Sequence, residues 1–260
     1  MYKVLALAAI TVWAAVLILP DDKLHVVFCD VGQGDAILVY RKTTQMLVDG
    51  GPDNKVLGCL ARHVPFYDRR IEVAIVTHPQ ADHMNGIIDV IKRYNVMQLV
   101  MGPENNSTVG FKELQRQVSN HKLQVTSVYS GDEMKMGGAK FEIVWPERGW
   151  VLGANTEKTD LNEFGISGRL TYGNFDVMLT ADVDQGVEAD EIASGLLRQV
   201  EVLKVPHHGS RTALLPSLLE VVRPARAIIS VGKNDFGHPA PETIKLLEDF
   251  GVKIERTDKD

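Results

Sequence analysis

The sequence predicts an α/β domain, and two observations carry that prediction. Short β-branched runs alternate with segments of helical apolar spacing, and each half of the chain opens on hairpin-like strands before a strand, helix, strand series. In both halves, histidines and carboxylates fall just after strands, where α/β folds place their ligands.

The elements follow in order. Residues 24–30 and 36–40 read as strands around the Gly32-Gln33-Gly34-Asp35 turn, and residues 45–49 add a third strand closed by Gly50-Gly51-Pro52. Residues 71–77 form a short apolar run of the kind buried on both faces, and it leads directly into His78-Pro79-Gln80-Ala81-Asp82-His83. Helical spacing over 84–93 and a strand over 96–100 come next, then a loop over 102–110 and a surface helix over 111–120. Residues 125–145 suggest a hairpin array, and residues 150–162 are polar and irregular. A hairpin over 166–172 and 175–180 turns at Gly173-Asn174 and ends in Ala181-Asp182. A strand over 200–205 ends in Pro206-His207-His208-Gly209-Ser210, followed by a helix over 212–222, a strand over 227–231 and a helix after Pro241.

With 260 residues, 45% of them hydrophobic and 24% charged, the chain is too apolar for disorder and long enough for one large core, so a single domain over 23–260 is expected. The formal charge of −6 argues against a protein that grips nucleic acid through a broad basic surface, because such affinity comes from releasing phosphate counterions. A polyanion would have to be met locally, by bound cations or a small basic rim. Only Cys29 and Cys59 occur, with no CxxC pair, so neither a thiolate metal site nor a disulfide framework is expected.

Residues 1–22 differ from the rest. Residues 4–19 are uncharged and almost wholly apolar, and as a helix they reach roughly 24 Å. That is a little short of a bilayer core of about 30 Å. Lys3 precedes the run, Pro20-Asp21-Asp22 ends it, and bulky Leu17, Ile18 and Leu19 leave no small-residue cleavage site at the boundary. We expect a single N-terminal apolar helix acting as membrane anchor, with the remainder outside the cytoplasm. A cleaved signal peptide and a buried first helix are the alternatives.

The chemistry concentrates at three strand ends. His78, Asp82 and His83 fall within six residues, so one tight loop can turn imidazole nitrogens and a carboxylate toward one point, a donor set suited to borderline and hard divalent cations. Asp182 and the His207-His208 pair follow two later strands. Singly, an aspartate after a strand is a helix cap and a histidine pair a turn; jointly they are ligand-type residues on converging strand ends.

These residues belong to a longer series: Cys29 through Ala36, Leu47-Val48-Asp49-Gly50-Gly51, Thr77 through His83, Leu179-Thr180-Ala181-Asp182, Leu203 through Ser210, and Phe236-Gly237-His238-Pro239. In that order they resemble the metallo-β-lactamase superfamily, and within it the extracytoplasmic nuclease-like domain of the ComEC competence family. The resemblance implies a four-layer αβ/βα sandwich with one or two divalent ions, zinc or manganese, at the edge between two sheets. It implies His78 as ligand of one ion and Asp82, His83 and one histidine of the pair, His207 here, as ligands of the other. Asp182 would bridge, making Asp82 and Asp182 the carboxylates on which catalysis turns. Gln80 and His208 are further metal or substrate candidates, and Asp35, Asp49 and His238 are expected to brace the ligands or meet substrate. Ser210 reads as a cap and Arg211 as a phosphate clamp.

One departure stands out. The superfamily loop is HxHxDH, with Asp at the middle position in the ComEC branch, and Gln80 stands there in this chain. The resemblance implies a metal-dependent nuclease or phosphodiesterase acting on DNA in competence uptake, tethered at the membrane, with a separate translocation channel as partner. The chain lacks the channel's many membrane spans, so it is either a stand-alone relative or an excerpt. The rival readings are a noncatalytic DNA-handling or assembly module whose site Gln80 has degraded, and a hydrolase of a lactone, thioester or β-lactam.

Overall fold

The computed structural model describes residues 21–156 and 158–260. The first hairpins form β1 (His25–Phe28), β2 (Ile37–Arg41) and β3 (Thr44–Val48), antiparallel neighbours in sequence order. The chain then crosses through α1 (Lys55–His63) to β4 (Arg70–Val76), through α2 (Ala81–Arg93) to β5 (Asn95–Met101), and through α3 (Val109–His121) to β6 (Gln124–Thr126). These pairings are parallel, and β1 to β6 make one sheet.

The second half repeats the plan. Antiparallel β7 (Glu133–Met136), β8 (Ala139–Trp145), β9 (Ser167–Tyr172) and β10 (Phe175–Leu179) continue into parallel β11 (Val202–Lys204), β12 (Arg226–Ile229) and β13 (Lys253–Arg256), again one sheet in chain order. Helices α4 (Arg148–Gly153), α5 (Gln185–Ala193), α6 (Pro216–Val222) and α7 (Pro241–Asp249) fill the connections.

Side-chain alternation explains the layering. Ile37, Val39, Met46, Val48 and Ile75 of the first sheet pack against Phe141, Ile143, Leu170, Val177 and Leu179 of the second. The opposite face of the first sheet, with Leu38, Leu47, Ala74 and Leu99, buries Leu60, Ile87 and Leu114 of α1, α2 and α3. The outer face of the second sheet, with Met178, Leu203, Ala227 and Ile229, buries Leu218, Leu219 and Leu247 of α6 and α7. Three apolar layers of this kind give helix, sheet, sheet, helix, because each sheet must cover both faces.

Several elements depart from the sequence reading. Residues 124–126 do not open a hairpin array; they add a parallel edge strand beside β5. The helix expected over 212–222 begins at Pro216, whose ring favours the first helical position. Helices α1, α4 and α5 were not expected. The Asp184 carboxylate caps α5 by accepting the Gly186 and Val187 N–H groups at 2.9 and 3.1 Å. The chain also makes a last strand, β13, beside β12. Among the described residues no helix is long and apolar enough to cross a membrane. The apolar segment 1–20, read from sequence as an anchor, lies outside the described residues.

The expectation about the cysteines is overturned. Cys29, after β1, and Cys59, in α1, are buried and joined in a disulfide, with Cα atoms 5.9 Å apart. Thirty residues of sequence separate them, a distance that spacing alone does not flag; the fold of β2 and β3 back onto α1 closes it. The bond ties the strand leading into the Gly32–Asp35 turn to the first helix layer.

Two fully buried glutamates sit on one face of α5. Glu188 accepts the Leu215 N–H at 2.6 Å, and Glu191 accepts the Ser167 hydroxyl. Each leaves its other oxygen unpartnered. Burial pushes Glu188 up to about 9 and Glu191 up to about 7. Both are raised from the ordinary 4.5, so the folded protein holds protons there that the unfolded chain releases. Stability is therefore expected to fall as pH rises from about 5 to about 9, and the Glu188→Gln/Glu191→Gln pair should flatten that decline in urea unfolding. Opening the disulfide, with reductant or as Cys29→Ala/Cys59→Ala, should cost about 3 kcal/mol of unfolding free energy through the freed loop. An unchanged urea midpoint would show that the bond contributes nothing.

Candidate metal centre

The site forms where β4 and β10 to β12 release the chain at adjacent sheet edges. After β4, Thr77 and His78 lead into α2, whose first turn carries Asp82 and His83. After β10 comes Asp182, and after β11 the His207-His208 turn. One ligand-type atom each from Asp82, His83, Asp182 and His208 lies within 4.8 Å of all the others.

Asp182 is the centre of this group. Its Oδ2 lies 3.2 Å from His83 Nε2 and 3.0 Å from His208 Nε2, and Asp82 Oδ2 lies 3.4 Å from His208 Nε2. Of the two candidate histidines, His208 joins the cluster and His207 does not. The His207 ring sits to one side, its centroid 6.2 Å from that of His208 and 5.6 Å from that of His238. In the structure His208, rather than the His207 expected from the motif, stands with the other three donors. The turn adopts left-handed backbone at both positions, φ 46° and 54°, which aims the second ring inward. Asp49 and Ala181 are also left-handed, with φ 59° and 49°. Non-glycine residues held there are strained, and such strain gathers at functional sites.

The tautomers of three histidines follow from their neighbours. Asp49 is fully buried and accepts from the Thr77 N–H and the Thr77 hydroxyl, both at 2.8 Å, and from His83 Nδ1 at 2.9 Å. The one hydroxyl proton of Thr77 goes to that carboxylate, so Thr77 Oγ1 must accept from His78 Nδ1–H at 3.0 Å. His208 Nδ1–H donates to the Ser230 carbonyl at 2.9 Å. In all three rings Nδ1 is anchored and Nε2 is left buried with no aligned hydrogen-bond partner. Anchored Nδ1 and free Nε2 is the arrangement of metal-ligating imidazoles. The residues therefore fit a divalent cation.

The electrostatics agree. Burial alone would lower His208, yet Asp182, Asp82 and Asp35 push it up to about 9. His83 is likewise held well above the ordinary range, against burial, by Asp182 and Asp49. Asp182 lies well below the carboxylate range despite burial, through His208, His83 and Lys204. His78, buried and beside His83, is driven well below the ordinary value and is neutral. Positive charge is wanted at the cluster's centre.

The remaining candidates take distinct places. His78 packs its ring on His83, centroids 4.1 Å apart, outside the four-residue group. Gln80 is the residue before α2, half-buried, its carbonyl accepting from His83 and Met84 N–H. Asp35 is buried beneath the cluster, 3.6 Å from His208 Nδ1. Gly34 (φ 137°) lets the Asp35 turn pass so close to α2 that a Cβ would stand 2.2 Å from the Asp82 carbonyl. Ser210 accepts from the Thr212 N–H at 3.3 Å, whereas exposed Arg211 is engaged by Glu242 at 3.1 Å, away from the role of clamp.

Sequence reading missed Lys204. Its ammonium is fully buried, 2.5 Å from Asp35 Oδ2, 3.2 Å from Asp182 Oδ1 and 2.6 Å from the Ala181 carbonyl. The signal was present: a lysine inside Val202–Lys204, a strand buried throughout, must find an anionic partner.

The fold is the αβ/βα sandwich, and the donor cluster is a candidate metal centre at the edge between its two sheets. A model of the metallo-β-lactamase superfamily matches residues 29–233, and the chain belongs to that superfamily. It is similar to ComE operon protein 3 of Bacillus subtilis, 23% identical over 88% of this chain and 31% of that protein. It is also similar to competence protein ComA of Neisseria gonorrhoeae, 26% identical over 92% of this chain and 32% of that protein. The chain thus spans about a third of the length of these curated relatives. The metallo-β-lactamase fold protein YhfI of Bacillus subtilis shares the fold, with TM-score 0.60 and 13% identity over 90% of this chain and 95% of that one.

His208→Ala should abolish stoichiometric metal in protein purified with Mn²⁺ or Zn²⁺, measured by plasma mass spectrometry, while His207→Ala keeps it. Asp49→Asn should weaken metal affinity by about 10–100-fold, because it frees the rings of His83 and, through Thr77, His78.

Proposed function

We propose that this chain is a metal-dependent phosphodiesterase that cuts DNA outside the cytoplasm, tethered to the membrane by its N-terminal segment and serving competence DNA uptake beside a separate translocation channel. The observation that carries the reading is the convergence of Asp82, His83, Asp182 and His208, with the two ring Nε2 atoms buried and turned toward Asp182. Four carboxylates, Asp35, Asp49, Asp82 and Asp182, gather at this edge, and the buried ammonium of Lys204 meets two of them, Asp35 and Asp182. Added positive charge at such a site would favour docking of an anionic phosphate.

His78, Asp82, His83, Asp182 and His208 would hold one or two divalent ions, zinc or manganese. Bound divalent ions supply an activated water and offset the charge that develops on a phosphate during displacement. The protein's own part is positioning. Asp49 fixes the rings of His83 and, through Thr77, His78; Ser230 fixes that of His208; Lys204 holds Asp182 Oδ1 so that Oδ2 faces the ring nitrogens. Sequence likeness to a competence protein supports the choice of DNA. The Cys29–Cys59 disulfide supports an oxidising, extracytoplasmic setting, where such bonds persist.

Metal-loaded protein is expected to cleave DNA and bis(p-nitrophenyl) phosphate, to stop in chelator, and to resume with Mn²⁺ or Zn²⁺. Stoichiometrically loaded protein that leaves both substrates intact would refute the reading. Gln80 favours one rival, a noncatalytic module, and Gln80→Asp separates the two. Activity gained from an inert start would support the rival, whereas the proposed enzyme is active before the change.

A further inference from the structure

The loop from Gly232 to Pro239 is held by one side chain. Asn234 Nδ2 donates to the Gly232 and His238 carbonyls at 2.9 and 2.8 Å, while its Oδ1 accepts the Phe236 and His238 N–H groups at 3.1 and 3.0 Å. At one end the loop lies against the Gly32 turn, so closely that a Cβ on Gly232 would stand 2.4 Å from the Gly32 carbonyl carbon. Just past its other end, Ala240 N–H donates to the Gly209 carbonyl at 2.8 Å, pinning it to the histidine turn. This braced loop presents Phe236 to solvent with 76% of its surface exposed.

A lone exposed phenylalanine is ordinary on a protein surface. Its connection to the site is not. The Phe236 ring lies 5.8 Å from His238, His238 lies 5.6 Å from His207, and His207 lies 6.2 Å from His208, which belongs to the buried cluster. Aromatic rings thus run from open solvent to the metal centre without a break.

We propose that Phe236 is a stacking platform for a nucleobase of a single DNA strand whose phosphate lies at the metal centre; this deepens the functional reading above and rests on it for the identity of the substrate. Every base offers a π-face, so stacking tolerates any sequence, as degradation of incoming DNA requires. It also answers a difficulty of charge. With a formal charge of −6 the protein has little counterion release to draw on, so beside the bound ions a strand gains affinity from contacts that carry no charge. Lys55, paired at 3.9 Å with Asp53, places an ammonium on the same rim, 3.0 Å from where a Gly32 Cβ would stand.

The experiment measures binding, in metal-loaded protein, of a fluorescent single-stranded oligodeoxynucleotide and of its abasic counterpart to wild type, Phe236→Ala and Phe236→Trp, by anisotropy at fixed salt, in the cold and within the time over which a gel shows the strands intact. Phe236→Ala should weaken binding of the base-bearing strand at least about five-fold and leave the abasic strand unaffected, and Phe236→Trp should restore the preference for bases. Equal loss on both strands, or no loss on either, overturns the platform, and would fit a Phe236 that serves a protein partner. A wild type that binds neither strand also overturns it. Turnover of bis(p-nitrophenyl) phosphate by wild type is followed in parallel. Hydrolysis of this ester without strand binding sinks the platform alone, whereas base-selective binding through Phe236 with no hydrolysis sinks the phosphodiesterase and leaves the platform standing.

Discussion

Asp49 takes three hydrogen bonds from the metal loop through two oxygens, and the geometry of the centre depends on that buried carboxylate. It is placed by the end of β3 and by a left-handed backbone, with its own N–H bonded to the Ile75 carbonyl of β4. Burial raises its proton affinity, and the His83 ring opposes that rise. A charge held in this way stays ionised only while its donors are in place. The loop orders the carboxylate as much as the carboxylate orders the loop.

The second sheet answers with a different device. There the carboxylates of Asp35 and Asp182 share the ammonium of Lys204, and the Asp35 turn reaches across from the first sheet to meet it. Lys204 is raised despite burial because both anions surround it. Removing either partner of such a pair leaves a buried charge uncompensated, which typically costs about 3–5 kcal/mol. The two sheets are therefore joined at this edge by electrostatics and along their inner faces by apolar packing.

Much of this was legible from residue patterns. Strands ending in His78, Asp182 and the His207-His208 pair stood out because ligand-type residues followed apolar runs, and the two-sheet plan followed from the repeat of hairpins and crossovers. The choice between His207 and His208 was not legible, since it depends on a turn in which both residues have positive φ. The disulfide was hidden for a related reason: Cys29 and Cys59 come together through tertiary folding that no local spacing encodes. Helix α1 escaped notice because Lys55–His63 follows a run of turn-forming residues with little apolar content. Lys204 could have been found by asking what a lysine does inside a buried strand.

The donors of the centre come from the two halves of the polypeptide. His78, Asp82 and His83 belong to the first sheet's half, Asp182 and His208 to the second's. A nascent chain must therefore extend beyond Gly209 before a complete coordination sphere can close. A cation held by these residues would bridge two separately built layers, and its binding free energy would add to that of their docking.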